Sequence, residues 1–124
     1  SDLNDHERGY KIGLATMTLE RYAINTMKEI GIDQCFDVMH GSSETESRTK
    51  SDMIEMCMNE TGTSRERTLM IGDGFNDLEA AKKSKVRFLA AAYGFGITKE
   101  NCIEYGYRYA DKPENLLNAI ENYQ

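Results

Sequence analysis

The sequence predicts an α/β fold in which the strands lie parallel. Short apolar runs, which are typical of buried strands, recur along the 124 residues, and amphipathic segments with helical spacing separate them. Glycine follows several of these segments, where it favours the end of a helix or a strand. Alternation of strands and helices at this spacing indicates βα units. The length suits one domain, which we expect over residues 11–124 after a polar tail at residues 1–10.

Apolar periodicity and turn residues set the predicted elements in chain order. The predicted strands are 11–15, 35–39, 69–71, 86–92 and a short edge strand at 107–110. The predicted helices are 19–30, 52–61, 77–84, 99–105 and a last helix that begins at Pro113 and carries Leu116, Leu117, Ile120 and Tyr123. Thr18 and Ser51 are the predicted N-caps of the first two helices, and Gly31 and Gly62 are their predicted ends.

Composition and charge argue against several classes of protein. The formal net charge is −6, from 21 acidic and 15 basic residues. The basic cluster of Lys82, Lys83, Lys85 and Arg87 follows a predicted helix, where cations complement the helix dipole, so we expect no nucleic-acid partner. No apolar stretch approaches the ~20 residues of a membrane span, and the polar residues 1–8 do not resemble a signal peptide. We therefore expect a cytoplasmic protein without a membrane partner.

The cysteines and histidines do not form a metal-binding pattern. Cys35, Cys57 and Cys102 are odd in number, widely spaced and without a C-x-x-C pair. We expect them to be small buried hydrophobic residues in a reducing compartment. Neither His6 nor His40 has a cysteine at the spacing of zinc ligands, so we expect no zinc site.

The segment from Thr68 to Asp77 carries the strongest functional signal. The strand over residues 69–71 ends at Gly72, which frees the backbone for a tight turn, and Asp73 and Asp77 then follow four residues apart. Asp73 is therefore expected at the carboxyl end of a strand, where open α/β sheets bind ligands. Two carboxylates at such a junction suit Mg²⁺, which takes a few carboxylates together with water and substrate phosphate.

A purely structural interpretation of the same residues stays open, because glycine, asparagine and aspartate also form ordinary turns and helix caps. Asp77 begins an amphipathic segment and is expected to be its N-cap or a first-turn residue. An EF-hand is excluded, because the twelfth position counted from Asp73 is Ser84 rather than glutamate.

Two further polar residues stand at the end of a strand or of a polar loop. Thr16 comes directly after the first predicted strand, and Lys50 ends the polar stretch before the second helix. A hydroxyl with backbone N–H groups can hold phosphate oxygens, and a lysine can neutralise charge on a transferring phosphoryl group. Each residue alone is more often a turn residue or a solvated charge. Together with the acidic pair, their order favours a phosphate site.

In this order the motifs resemble those of the haloacid dehalogenase superfamily of aspartate-nucleophile phosphatases. Leu14-Ala-Thr16 is similar to the family's second motif, Thr49-Lys-Ser51 to the third and Gly72 to Asp77 to the fourth. Residues 90–96 are similar to a run found in phosphoglycolate-phosphatase-like members. The resemblance covers residues 10–122, which is nearly the whole chain.

The resemblance implies a Rossmann-like three-layer parallel sheet. It also implies Mg²⁺-dependent hydrolysis of a small phosphorylated metabolite, a phosphate monoester such as phosphoglycolate or a sugar phosphate, through an aspartyl-phosphate. Thr16, the Met17 amide and Lys50 would bind the phosphate, with Thr16 and Lys50 catalytic. Asp73 and Asp77 would hold Mg²⁺.

The family's first motif, an apolar strand followed by D-x-D-G-[ST], does not occur in this sequence. By resemblance, its strand would lie in the middle of the sheet, between the strand that ends at Thr16 and the strand that ends at Asp73. We therefore expect the C-terminal part of a phosphatase core, inactive alone and completed by an N-terminal segment or another chain. Lys85 also stands where the family usually has glycine after the helix of the fourth motif.

Two other functions fit parts of the pattern. A remnant that binds phosphate, Mg²⁺ or a protein partner without catalysis would keep the same motifs. A start codon at or just before Ser1 would favour that remnant, whereas an upstream D-x-D-G-T would favour the enzyme. A phosphotransfer receiver is less favoured, because it needs an acidic pair after its first strand, where this chain has Thr16-Met-Thr18.

Overall fold

The computed structural model describes residues 9–123, so most of the polar tail expected at residues 1–10 lies outside the described residues. The chain divides between Ser64 and Arg65 into two compact units. Each unit contains parallel strands with helices packed against them, which confirms the predicted α/β class. No helix among residues 9–123 is long and apolar enough to cross a membrane.

Strands and helices alternate along the chain. The strands are β1 (Gly13–Leu19), β2 (Val38–Ser42), β3 (Leu69–Gly72), β4 (Arg87–Ala91) and β5 (Arg108–Ala110). The helices are α1 (Glu20–Glu29), α2 (Lys50–Thr61), α3 (Phe75–Ser84), α4 (Lys99–Tyr105) and α5 (Leu116–Glu121). Short 3₁₀ turns precede β2, β3 and α5, at Asp33–Cys35, Arg65–Arg67 and Pro113–Asn115.

In the first unit, β1 and β2 form a parallel pair, and both α1 and α2 pack against it. Pairing is regular up to Ala15 opposite His40, after which Leu19 pairs with Ser42. β1 therefore advances four residues where β2 advances two, and residues 16–18 bulge out of the ladder. The buried apolar residues of this unit are Ala23, Cys35, Met53, Ile54 and Met58.

The bulge explains why the predicted N-cap of the first helix is wrong. Thr18 still belongs to β1, because the bulge lengthens this strand beyond its predicted end. α1 begins after Leu19, which makes no side-chain capping bond. The predicted end of the helix is confirmed, since Gly31 follows it with a φ of 80°.

The predicted strand at residues 35–39 is wrong in its bounds. Cys35 ends a 3₁₀ turn, and β2 runs from Val38 to Ser42, into the stretch predicted to be a polar loop. Asp37 sets the start of the pairing: its amide donates to the Ile12 carbonyl at 2.7 Å, and its Oδ2 accepts from the Ile12 amide at 2.7 Å. These two bonds hold Asp37 beside Ile12, so β2 begins with the next residue, Val38.

The second helix begins two residues earlier than predicted, at Lys50 rather than at residue 52. Thr49 caps α2, because its Oγ1 accepts from the Asp52 amide at 3.0 Å while Asp52 Oδ2 accepts from the Thr49 amide at 2.8 Å. Ser51, the predicted cap, is instead buried in the first turn. Gly62 ends the helix with a φ of 67°, as predicted.

In the second unit, β4 lies between β3 and β5 in a three-stranded parallel sheet, with β5 at the edge as predicted. β4 is paired on both sides, and its residues from Phe88 to Ala91 are all buried. The predicted helix at 99–105 and the predicted end of the strand at Gly72 are both confirmed. This unit therefore packs around its middle strand.

The cysteines are free thiols, and two of the three are buried as predicted, Cys35 and Cys102. Cys57 is half-buried against β1, where its Sγ donates to the Leu14 carbonyl at 3.8 Å. Burial, together with the nearby charge of Glu60, raises the pKa of Cys57 to about 11. The thiol is therefore protonated at neutral pH, which suits a packing residue rather than a nucleophile.

Lys85 gives a stability prediction. It ends α3 with a φ of 57°, and among residues 9–123 it is the only non-glycine residue with a positive φ. A Cβ costs about 1 kcal/mol in this conformation, and glycine does not incur that cost. We expect Lys85→Gly to raise the free energy of unfolding by about 0.5–1 kcal/mol, measured by urea denaturation followed by circular dichroism.

The control for this prediction is Lys83→Gly. It removes the same charge from a position where the backbone is helical, and it is expected to lower the free energy of unfolding by about 1 kcal/mol. Equal effects of the two substitutions would show that charge, and not backbone conformation, decides the result at Lys85.

Candidate active site

Thr16 lies in the bulge near the carboxyl end of β1. The prediction that the strand ends at this residue is wrong, because β1 continues to Leu19. The Thr18 amide donates to Thr16 Oγ1 at 3.2 Å, which makes a local turn within the strand. Met17, between the two threonines, is 51% exposed. Thr16 and Met17, two of the three residues predicted to bind phosphate, therefore lie on an irregular and accessible part of β1.

Lys50 is the first residue of α2 and is half-buried, in the position that the third motif implies. Because β1 and β2 run parallel and α2 follows β2, the start of α2 lies at the carboxyl edge of this pair. Thr16 lies toward the same edge. The first unit therefore has both of its predicted catalytic residues at one edge of its sheet.

A charged network, which the sequence did not indicate, holds the loop that leads to Lys50. Arg48 Nη1 donates to Glu20 Oε1 at 2.9 Å and to the Gly41 carbonyl at 3.1 Å. The Gly41 amide donates to the same carboxylate oxygen at 3.2 Å, and His40 Nδ1 lies 3.4 Å from it. Glu20 therefore joins α1, β2 and this loop through one carboxylate.

Two more acidic residues extend the network. Arg48 Nη2 donates to Glu46 Oε1 at 3.1 Å. His40 Nε2 lies 2.9 Å from Glu60 Oε2 on α2, an ion-pair distance without the geometry of a hydrogen bond. The His40 side chain therefore lies between carboxylates from two helices, and it is only 11% exposed.

The network changes the acidity of Glu20 and Arg48. Burial opposes ionisation of Glu20, but the hydrogen bonds from Gly41, Arg48 and His40 outweigh it and hold the pKa of Glu20 below its ordinary value of 4.5. The hydrogen bond to Glu46 contributes most to a raised pKa of Arg48, against the effect of its desolvation. Both groups are therefore charged at neutral pH.

An open depression of ≈ 350 Å³ lies beside this network in the first unit. It is lined on one side by Leu19, Glu20 and Arg21, and on the other by residues 42–45 and Arg48. Arg21 and Glu44 form an ion pair across it, and both side chains are exposed. The carboxyl edge of the first unit therefore offers open space with polar walls.

Asp73 and Asp77 lie at the junction of β3 and α3, as predicted, but in different environments. Asp73 directly follows the strand and is exposed, whereas Asp77 is 6% exposed. Asp77 is a first-turn residue, which confirms one of the two predicted alternatives and corrects the other. The N-cap is Gly74, whose amide donates to Asp77 Oδ2 at 3.2 Å.

Gly72 is needed for space rather than for its backbone conformation. It is not among the glycines with a positive φ. A Cβ at Gly72 would lie 2.5 Å from both Cγ and Oδ2 of Asp77, far inside van der Waals contact. The Asp77 carboxylate is therefore packed directly on the end of β3, and the predicted role of Gly72 in freeing a tight turn is secondary.

The acidic pair fits a hard divalent cation that takes few protein ligands. No group of three or more histidine, cysteine, aspartate or glutamate residues able to hold a metal occurs within residues 9–123. Structural zinc and calcium sites use more protein ligands than two. Mg²⁺ commonly takes one or two carboxylates and completes its shell with water and substrate phosphate. The cradle that Gly72 leaves for the Asp77 carboxylate is consistent with such a site.

Comparison with known proteins decides the family. The family described as haloacid dehalogenase-like hydrolase matches residues 3–91, a range that includes Thr16, Lys50, Asp73 and Asp77. The chain belongs to the haloacid dehalogenase-like hydrolase family. The resemblance inferred from the motifs is therefore confirmed.

Relatives within this family include phosphatases that act on different compounds. The pyrophosphatase PpaX of Halalkalibacterium halodurans is 29% identical over 99 residues, which are 79% of this chain and 45% of the relative. A phosphoglycolate phosphatase of Nitrosococcus oceani is 26% identical over 89 residues, which are 71% of this chain and 40% of the relative. The chain thus spans less than half the length of these two relatives.

Solved structures of the family confirm the fold. A haloacid dehalogenase-like hydrolase from Streptococcus pneumoniae matches with a TM-score of 0.82 and 27% identity, over 96% of this chain and 56% of that protein. The two small parallel sheets therefore form part of a Rossmann-like haloacid dehalogenase core, and that core is incomplete in these 124 residues.

The Glu20 network predicts how stability responds to acid. Because the pKa of Glu20 is lowered in the folded protein, its contribution to stability is complete above 4.5 and is lost as the pH falls through the folded-state pKa. We expect Glu20→Gln to lower the free energy of unfolding at pH 7 by less than about 1 kcal/mol, since Glu20 is partly exposed. The substitution should also flatten the loss of stability as the pH falls below about 4.5.

The measurement is the free energy of unfolding at a series of pH values. Glu46→Gln is the matched control, because Glu46 binds the same guanidinium but its side chain is 67% exposed. We expect this control to change the loss of stability at acidic pH less than Glu20→Gln does. If Glu20→Gln loses stability at acidic pH as the unsubstituted chain does, the Glu20 carboxylate is excluded as a source of this pH dependence.

Proposed function

We propose that this chain belongs to a Mg²⁺-dependent phosphatase that hydrolyses a small phosphate monoester. It would supply the residues that bind phosphate, the catalytic lysine and the residues that bind Mg²⁺. The observation that carries the proposal is the acidic pair at the end of β3, where Asp73 is exposed and Asp77 is buried against Gly72. An exposed carboxylate backed by a buried one suits a site that binds a cation and admits a phosphate from solvent. Membership of a hydrolase family with phosphatase relatives supports the same reaction class.

Thr16 and the Met17 amide would bind phosphate oxygens in this enzyme. The bulge turns this part of β1 out of the regular ladder, so backbone N–H groups here are not restricted to pairing with β2. The Thr16 hydroxyl accepts one hydrogen bond from Thr18 and can still donate its own proton to a phosphate oxygen. These donors would stabilise the charge that develops on the phosphoryl group.

Lys50 would neutralise charge on the phosphoryl group and on the carboxylate that attacks it. The Thr49–Asp52 capping bonds fix the backbone from which this side chain starts, and Arg48 ties the preceding loop to Glu20 and Gly41. Asp73 and Asp77 would hold Mg²⁺, which when bound lowers the negative charge that the attacking group must approach.

The nucleophile of the proposed reaction lies outside these 124 residues. The sequence has no D-x-D-G-T, so the aspartate that would form the aspartyl-phosphate must come from additional residues of the protein or from another chain. Removal of a nucleophile lowers rates by about 10⁶ in a well-studied protease. We therefore propose that this chain alone does not turn over phosphate esters.

The names of the relatives support a substrate class rather than one substrate. One is a pyrophosphatase and the other a phosphoglycolate phosphatase, so the shared feature is a small phosphorylated molecule. We propose phosphoglycolate or a sugar phosphate.

The first test is hydrolysis of p-nitrophenyl phosphate in the presence of Mg²⁺. The chain is assayed alone and after mixing with the polypeptide encoded immediately upstream of Ser1. Activity only in the mixture is the expected result. Activity of the chain alone would overturn the proposal that the nucleophile lies outside these 124 residues. Absence of activity from both, with upstream codons that lack D-x-D-G-T, would favour a non-catalytic protein that binds phosphate, Mg²⁺ or a partner.

Substitutions in the active mixture test the roles of the residues. Lys50→Met and Asp73→Asn are each expected to lower kcat by about 100-fold or more, because each removes a charge that stabilises the transition state. Lys28→Met on α1 and Glu79→Gln on α3 are the charge-matched controls, since both side chains are exposed. Equal activity of a site variant and its control would remove that residue from the proposed site.

A further inference from the structure

The segment that follows β4 returns to the strand end that carries Asp73. The Ile97 amide donates to the Asp73 carbonyl at 2.7 Å. Ile97 itself is fully buried, so the end of this segment is anchored by packing as well as by the hydrogen bond. The Gly94 amide donates to the Ala91 carbonyl at 3.2 Å, which turns the chain back directly after the strand.

Two glycines in this segment are needed because Asp73 occupies the space of their side chains. A Cβ at Gly94 would lie 2.5 Å from both Cβ and Oδ2 of Asp73. A Cβ at Gly96 would overlap the Asp73 carbonyl oxygen and lie 2.9 Å from the Gly74 Cα. Neither glycine has a positive φ, so conformational freedom does not explain either of them. Close approach to Asp73 does.

We propose that residues 94–97 act as a clasp that positions the Asp73 carboxylate for Mg²⁺. The inference rests on the proposed function, in which Asp73 is a metal ligand. Gly94 lies against the side chain of Asp73, while Gly96 and the Ile97 amide lie against its backbone carbonyl. The clasp therefore restricts both the backbone and the side chain of a residue that is otherwise exposed to solvent.

This restriction matters because an exposed aspartate side chain samples several rotamers. Binding a cation selects one of them, and the entropy lost on ordering lowers the affinity. A carboxylate already held by its neighbours loses less. Asp77 is ordered in a different way, through burial and through the Gly74 amide. The clasp thus gives the exposed ligand a rigidity that burial gives the other.

The side chain between the two glycines does not take part. Phe95 has a relative exposure of 107%, so it points fully into solvent while the backbone on both sides contacts Asp73. Phe95→Ala is therefore a control within the same segment. Gly13→Ala is a second control, because its added Cβ would lie 2.9 Å from the Cys57 Sγ, in the other unit.

The test is a titration of the ¹⁵N-labelled 124-residue chain with MgCl₂, in which the amide shifts of residues 72–77 report binding. We expect Gly94→Ala to raise the apparent Kd for Mg²⁺ at least tenfold. Phe95→Ala and Gly13→Ala should leave it within twofold of the unsubstituted chain. Asp73→Asn should abolish the shifts.

The outcomes separate the inference from the function on which it rests. An unchanged Kd in Gly94→Ala, with binding lost in Asp73→Asn, overturns the clasp and keeps Asp73 as a ligand. Binding that survives in Asp73→Asn removes Asp73 from the metal site and overturns both. If Gly94→Ala does not fold, hydrogen exchange of the Ile97 amide in the unsubstituted chain decides: saturating Mg²⁺ should slow it severalfold, and an unchanged rate overturns the clasp.

Discussion

Parallel pairing is the constraint on which every candidate residue depends. Strands that run in the same direction have their carboxyl ends at one edge, and the residues that follow them gather there. In the first unit that edge carries Thr16 and the start of α2 with Lys50. In the second it carries Asp73 and the segment that returns from β4. Antiparallel pairing of either pair of strands would send these residues to opposite edges.

Arg48 shows how contacts commit a basic residue to a structural role. Arg48 is close in sequence to Lys50, the lysine that is proposed to bind phosphate. Its guanidinium, however, is engaged by Glu20, by Glu46 and by the Gly41 carbonyl. Arg48 is therefore committed to holding the loop, and a basic residue beside a site need not belong to it.

The features that could be predicted are those with local causes. The end of β3 at Gly72 and the end of α2 at Gly62 follow from glycines at those positions. The extension of β1 past Ala15 depends on its pairing with β2, and the Glu20–Arg48 bond joins residues 28 positions apart. The contact of Gly94 with Asp73 likewise joins two different loops. A single sequence carries no signal for such pairings.

β3 lies at the outer position of its sheet, with β4 on one side. Its four residues carry no charge and no proline, and Ile71 is 37% exposed. Proteins usually protect an outer strand with charges, prolines or a covering segment, because its backbone groups can pair with a strand from another molecule. The solubility of this chain at high concentration therefore depends on what covers β3. A polypeptide that completed the sheet would prevent self-association through β3 as well as supply the missing nucleophile.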